Sequence, residues 1–247
     1  MLRRAMNGPD THAAPTRSTL AAWSVHLLTA TGAVMGVLAL VAIGAGEFSA
    51  AAIWILAALA VDSVDGTLAR AVRVKEVLPN IDGRRLDDMV DFLNYVIVAL
   101  VFMAAAGQLW SVWWAAVPAL ASAYGFSQTD AKTEDGFFLG FPSYWNVIAI
   151  YAWLFDVSAQ TGTLVVLGFS VLVFVPLKYV YPSQSPVLKR STVAGSGVWI
   201  IALALACLRP EAPASYALTW ISLLFPAWYF GVSLVYGGLH RPGHRLG

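Results

Sequence analysis

The chain has 247 residues, 59% of them hydrophobic and only 12% charged, with a mean hydropathy of +0.69. A soluble domain carries about 25% charged residues, so this composition excludes an ordinary water-soluble globule and points to a single helical membrane domain. A net charge of +1 excludes a global basic field for nucleic acid, and a lone cysteine, Cys207, excludes an intramolecular disulfide.

Residues 1–18 read as a polar arm carrying Arg3, Arg4 and Arg17. Apolar segments long enough to cross a bilayer then recur over 20–44, 48–70, 86–106, 110–128, 143–158, 162–180, 191–208 and 214–237. The breaks between them hold Gly, Pro or charge, as at Gly46-Glu47, Pro79 through Gly83, Asp130 through Asp135, and Pro182 through Pro186. Residues 238–247 read as a short tail. The expected fold is therefore all-α, with eight transmembrane helices forming one domain over 19–237. With that count both termini share a side, and 14 of the 15 basic residues fall on it, leaving only Arg209 opposite. The positive-inside rule makes the rich side cytosolic. His12, His240 and His244 lie in the tails and form no metal motif, and no phosphate loop or dinucleotide fingerprint is present.

Against this apolar background the segment 62–91 holds Asp62, Asp65, Asp87 and Asp91. One ionised Asp at a bilayer centre costs roughly 2.5–3.5 kcal/mol, so several together require a compensating charge. On the second predicted helix Asp62, Asp65, Gly66 and Ala69 share an arc of about 100°, which pairs two carboxylates with two residues of minimal bulk. On the third, Gly83, Asp87 and Asp91 share about 80° of arc. Two antiparallel helices joined at the cytosolic side can bring these faces together. Converging carboxylates make a hard, oxygen-rich site suited to Mg2+ or Mn2+. Asp82, Asp88, Arg84 and Arg85 fit plainer roles as capping and topology residues.

The residues Asp62, Asp65, Gly66, Ala69 and Arg70, followed by Gly83, Asp87 and Asp91, resemble the signature of the CDP-alcohol phosphatidyltransferase family, D-x-x-D-G-x-x-A-R, a spacer, then G-x-x-x-D-x-x-x-D. The spacer here runs from Ala71 through Asp82, longer than in most of the family. It is similar to that of the bacterial phosphatidylcholine synthase branch, as are the eight predicted helices and the run PLKYVYPS at 176–183. The resemblance implies a metal-dependent transfer of the phosphatidyl group from CDP-diacylglycerol to the hydroxyl of choline, with release of CMP, at the cytosolic face of a bacterial inner membrane. It implies Asp62, Asp65, Asp87 and Asp91 as ligands of two divalent ions, Mn2+ or Mg2+, with Asp91 also the general base. Gly66, Ala69, Arg70 and Gly83 would border the nucleotide. Membrane lipid surrounds such an enzyme, and a homodimer is among the assemblies the resemblance implies.

Choline adds a requirement of its own, since a quaternary ammonium is best held by aromatic faces. Candidates at the cytosolic edge are Tyr144, Trp145, Tyr179 and Tyr181, with Tyr95 one turn beyond Asp91. Asn146, His26, Lys189 and Arg190 are further candidates for polar or phosphate contacts. Other readings of the residues are a different acceptor (serine, inositol or glycerol phosphate), an ion-coupled transporter, and a scaffold. Acids gathered at one membrane face rather than the midplane weigh against the transporter.

Overall fold

The computed structural model describes residues 16–184 and 188–239. Residues 1–15 and 240–247, which hold most of the predicted arm and tail, lie outside the described residues, as do Ser185 and Pro186 of one predicted break. Helix α1 (Arg17–Gly44) starts at Thr16, whose hydroxyl accepts a hydrogen bond from the Thr19 amide. Gly46, at φ 75°, turns the chain into α2 (Phe48–Val72), a conformation open to glycine because it has no Cβ. α2 ends where Arg73 becomes left-handed at φ 54°, and a single helical turn, α3 (Val74–Val77), lies within the spacer. Helix α4 (Gly83–Ala105) starts at Asp82, which accepts the Arg85 amide at 3.1 Å in the capping role expected of it. Further on are α5 (Ala116–Ser127), α6 (Trp145–Leu154), α7 (Ala159–Phe174), α8 (Lys189–Leu208) and α9 (Pro213–Tyr236).

Among the described residues five helices, α1, α2, α4, α8 and α9, are long and apolar enough to cross a membrane. The remaining three predicted crossings are shorter. Residues 110–128 become a 3-10 turn (Val112–Ala115) followed by the 12-residue α5. Residues 143–158 reduce to the 10-residue α6, bounded by left-handed Ser143 and Asp156. Residues 162–180 stop helically at Phe174, because Pro176 drives Val175 into an extended conformation. α9 breaks at Leu223, since Pro226 has no N–H to offer the Ser222 carbonyl.

The all-α architecture holds, with one short ribbon added to it. After Pro176 the chain forms β2 (Lys178–Val180), which pairs antiparallel with β1 (Phe137–Leu139), Phe138 opposite Tyr179. Hydropathy alone cannot separate this short apolar strand from the end of a helix.

Outward faces carry large apolar side chains, among them Leu27, Val41, Val198 and Val235, while Phe102, Met103, Ile150 and Leu203 fill the interior. Helices that are apolar all round belong in lipid, so this is an integral membrane protein. The closest approach that matters for the site is between α1 and α4. A Cβ on Gly32 would fall 2.6 Å from Val90 Cγ1, and one on Gly36 would fall 2.8 Å from Asn94 Oδ1. Small residues four apart let the two backbones come together, and Asn94 seals the contact by donating to the Gly32 carbonyl at 3.0 Å.

Candidate active site

The spacer and the α1–α4 contact set how the two acidic helix faces meet. Asp62 on α2 and Asp87 and Asp91 on α4 each offer a carboxylate oxygen, and these oxygens lie within 4.8 Å of one another. Three like charges this close repel unless cations or protons stand among them. The donor set is hard oxygen only, and the spacing suits a divalent cation of the Mg2+ or Mn2+ class. Just past Asp91 the α4 hydrogen bonding widens into a π-helix over Phe92–Val98, a distortion common at functional sites. Asn94 and Tyr95 lie in that stretch. Tyr95 Oη donates to Asp62 Oδ2 at 2.5 Å, fixing that carboxylate from the opposite helix.

Asp65 is placed differently. It is buried, and Thr29 Oγ1 of α1 donates to its Oδ2 at 2.6 Å. It borders the same cleft as the other three acids but is not one of the trio.

That cleft has a volume of about 650 Å³, within the range of small-molecule sites. Its lining combines the acids, Gly66 and Lys132 with apolar side chains that include Val165, Phe169, Ile200, Phe225 and Phe230. In the sequence Lys132 is simply one of the 14 basic residues on the rich side. Its Nζ stands 3.6 Å from Asp87 Oδ2, 3.5 Å from Asp88 Oδ1 and 5.7 Å from the centre of the Tyr181 ring. Burial works to lower the Lys132 pKa, but Tyr181 and the acids Asp87, Asp88 and Asp91 outweigh it, so the pKa is raised and the ammonium stays charged. The loop that carries Lys132 is clamped by an ion pair, Lys178 Nζ to Asp135 Oδ2 at 2.7 Å. Burial pushes the Asp135 carboxyl upward, yet the hydrogen bonds from Lys178 and Thr133 dominate and leave its pKa below the ordinary value.

The other sequence candidates divide into two groups. Tyr144 and Tyr181 line the cleft, together with Tyr95 and Tyr229. Tyr144 sits between Tyr95 and Tyr229, with ring centres 6.0 Å from each. Trp145 and Tyr179 are core residues instead. Trp145 is fully buried with its indole donating to Ser122 Oγ at 2.7 Å, and Tyr179 packs on Phe141 and Phe230. Asn146 is buried with its side chain on the Val147 amide, beside a small void bordered by the acids. Lys189 and Arg190 are exposed at the start of α8 and are not among the residues lining the cleft.

Of the predicted nucleotide neighbours, Gly66 lines the cleft. Ala69 packs instead on the small cluster of Ala22, Val25 and Val74. Gly83 makes room for His26, whose Cε1 would stand 2.8 Å from a Cβ there, and His26 Nε2 is buried with no hydrogen-bond partner among the described residues. Arg70 bonds Thr67 and the Ser183 carbonyl at 3.0 and 3.3 Å, tying α2 to the loop after β2. Tyr229 and Lys132 also line the cleft, and the sequence pattern does not single them out. Neither has a local signal: Lys132 sits in a charged loop and Tyr229 in an apolar helix, both far along the chain from the acids.

With this geometry in view, the sequence pattern of the CDP-alcohol phosphatidyltransferases matches residues 24–175, more than half of the chain. The chain belongs to the CDP-alcohol phosphatidyltransferase family. It is similar to the phosphatidylcholine synthase of Legionella pneumophila, 45% identical over 178 residues that cover 70% of this chain and 69% of that one. It is also similar to the phosphatidylcholine synthases of Borreliella burgdorferi, 35% identical over 175 residues (70% and 75% of the two chains), and Pseudomonas aeruginosa, 32% identical over 217 residues (86% and 90%). The protein is thus a membrane-embedded phosphatidyltransferase of a family that works with divalent metal, and its Asp62–Asp87–Asp91 trio could hold such an ion.

Proposed function

We propose that this CDP-alcohol phosphatidyltransferase transfers the phosphatidyl group of CDP-diacylglycerol to the hydroxyl of choline, giving phosphatidylcholine and CMP. The observation that carries the reading is one cleft whose lining joins an acid trio and tyrosines to a large apolar surface. A headgroup with a diphosphate and a small alcohol suits the polar part of that lining, and acyl chains suit the apolar part. The relatives named phosphatidylcholine synthase support the choice of acceptor.

In this reading Asp62, Asp87 and Asp91, joined by Asp65, hold two divalent ions, Mn2+ or Mg2+. Bound there, the ions supply charge neutralisation to the diphosphate and the departing CMP. Tyr95 keeps Asp62 oriented, and Thr29 does the same for Asp65. A carboxylate oxygen of Asp91 takes the proton from the choline hydroxyl. The choline oxygen forms a bond to the lipid phosphorus as the bond from that phosphorus to the CMP oxygen breaks, and CMP leaves with the electron pair. Tyr144, flanked by Tyr95 and Tyr229, presents aromatic faces to the quaternary ammonium, with the nearby carboxylates adding a favourable field. Gly66 leaves room for the nucleotide beside α2. Eight crossings, both termini on the cytosolic side and a bacterial inner-membrane location complete the reading, on the strength of the basic-residue distribution. A homodimer is part of it as well.

The test is CMP release by purified protein from CDP-diacylglycerol, in detergent with Mn2+, against a panel of labelled choline, serine, inositol and glycerol phosphate. Choline alone should react. Transfer to serine in its place would overturn the acceptor, and no CMP release with any alcohol would overturn the reaction.

A further inference from the structure

We infer that Lys132 is a phosphate-binding residue of the cleft, its ammonium holding an oxygen of the lipid diphosphate while Asp88 holds the ammonium in position. The inference rests on the reading of the cleft as the site of a diphosphate-linked lipid.

The loop that carries Lys132 is built to present it. Lys132 itself bridges to Phe138, the Thr133 amide donates to the Phe137 carbonyl at 2.8 Å, and the Leu139 amide donates to Ala131 at 2.9 Å. β1 is paired with β2, and β2 is pinned to α9 by Tyr229 Oη donating to the Val180 carbonyl at 2.8 Å. The Lys178–Asp135 pair closes the other side of the loop. A flexible side chain therefore projects from a fixed backbone into the cleft beside the acids, with 26% of its surface exposed.

Its partners there leave it capacity. An ammonium has three donors, and contacts of 3.5 and 3.6 Å to Asp88 and Asp87 are longer than a strong charge-assisted hydrogen bond. Asp87 belongs to the trio, so engaging it with a divalent ion leaves Asp88, which is outside the trio, as the anchor. The remaining donors then face a cleft in which an anion is the missing complement. The positive charge of Lys132 disfavours a quaternary ammonium directly beside it. Tyr181, whose ring lies beneath Nζ, is occupied by Lys132 rather than open to choline. The site is thereby divided, with Lys132 and Tyr181 on the diphosphate side and Tyr144, Tyr95 and Tyr229 on the side of the acceptor.

The plainer role is a counter-ion that only keeps the carboxylates together, and one experiment separates the two. Full-length wild type and Lys132→Met are compared in detergent for equilibrium binding of CDP-diacylglycerol in Mn2+, for Mn2+ affinity by electron paramagnetic resonance, and for both KM values. Phosphate binding predicts that Lys132→Met weakens CDP-diacylglycerol binding and raises its KM by about tenfold or more, with the choline KM moving less than about twofold. Mn2+ affinity should be unchanged or tighter, because a competing cation has been removed. Lys132→Arg should restore most of the lipid affinity. Unchanged CDP-diacylglycerol binding overturns the inference, as does a loss of Mn2+ affinity as large as the loss of lipid affinity. Lys132→Gln, similar in reach and polar, carries the same test should the Met variant fail to fold. Wild type that binds CDP-diacylglycerol but does not transfer to choline sinks the acceptor reading alone, and the binding arm still decides Lys132.

Discussion

The wall of the cleft built by α2 and α4 and the wall built by α6, α7, α9 and the β ribbon differ in how they are specified. The first takes its acids from a 30-residue stretch, at spacings that place them on helix faces by geometry alone. The second collects Lys132, Tyr144, Tyr181 and Tyr229 from four segments spread over some 100 residues. Local periodicity can write a metal-binding face, whereas a surface that holds a diphosphate and an ammonium apart needs chain segments brought together from a distance. On the proposed function the division is chemistry on one side and selectivity on the other.

If that division holds, damage to the acidic wall should abolish turnover while leaving substrate binding measurable. Asp91→Asn keeps the shape of the side chain and removes the base, and the rate of CMP release should fall by about a thousandfold or more. Chelation by EDTA should silence the wild type, with Mn2+ restoring it. Retained turnover in Asp91→Asn would break the comparison at its centre.

Within the other wall, core and cleft residues should separate. Trp145→Leu removes a fully buried indole and its bond to Ser122, so it should cost about 2–4 kcal/mol of stability, read as a lower thermal midpoint in detergent, with KM values unchanged in the folded fraction. Tyr144→Leu should do the reverse, raising the choline KM by about tenfold with little change in the KM for CDP-diacylglycerol or in the thermal midpoint. Equal effects on both KM values would erase the proposed division of the site.

The smallest effect belongs to the ribbon clamp. The folded-state pKa of Asp135 is depressed, so its contribution is present above the unfolded carboxylate value and is lost as pH falls through the folded one. Because Asp135 is 43% exposed, solvent screening holds that contribution to under about 1 kcal/mol. The protection of the amides at 137–139 and 178–180, measured relative to the intrinsic exchange rate at each pH, should be flat from neutral to mildly acidic pH and should fall only below about pH 4. Asp135→Asn should remove that acid-dependent step, and a step that survives the substitution would assign it elsewhere.

Much of the molecule is legible in its sequence. The five long helices fall where hydropathy put them, and Asp62, Asp87 and Asp91 converge as their spacing implied. Where the structure differs from the sequence pattern, the causes are local. Pro176 turned the end of a predicted helix into a strand, and Ser143 and Asp156 cut another short. Tyr179 and Trp145, two of the aromatic candidates for choline, are core residues, and an apolar sequence does not say which aromatic faces a cleft and which faces its neighbours. The space beside Gly83 is filled by His26 and Ala69 packs on the α1 side, and small residues in a sequence do not say whether a ligand or a neighbouring helix uses the room they leave.

By itself the sequence determined a membrane-embedded helical protein with its carboxylates on two successive helix faces, because both statements follow from local hydropathy and from the 3.6-residue turn. Tertiary structure alone decided that Thr29 takes Asp65, that Tyr95 takes Asp62, and that Lys132 enters the cleft beside Asp87 and Asp88. Those pairings join residues 33 to 45 positions apart, and no helical or strand period reaches that far; close packing of α1 on α4 and the clamp of the ribbon set them.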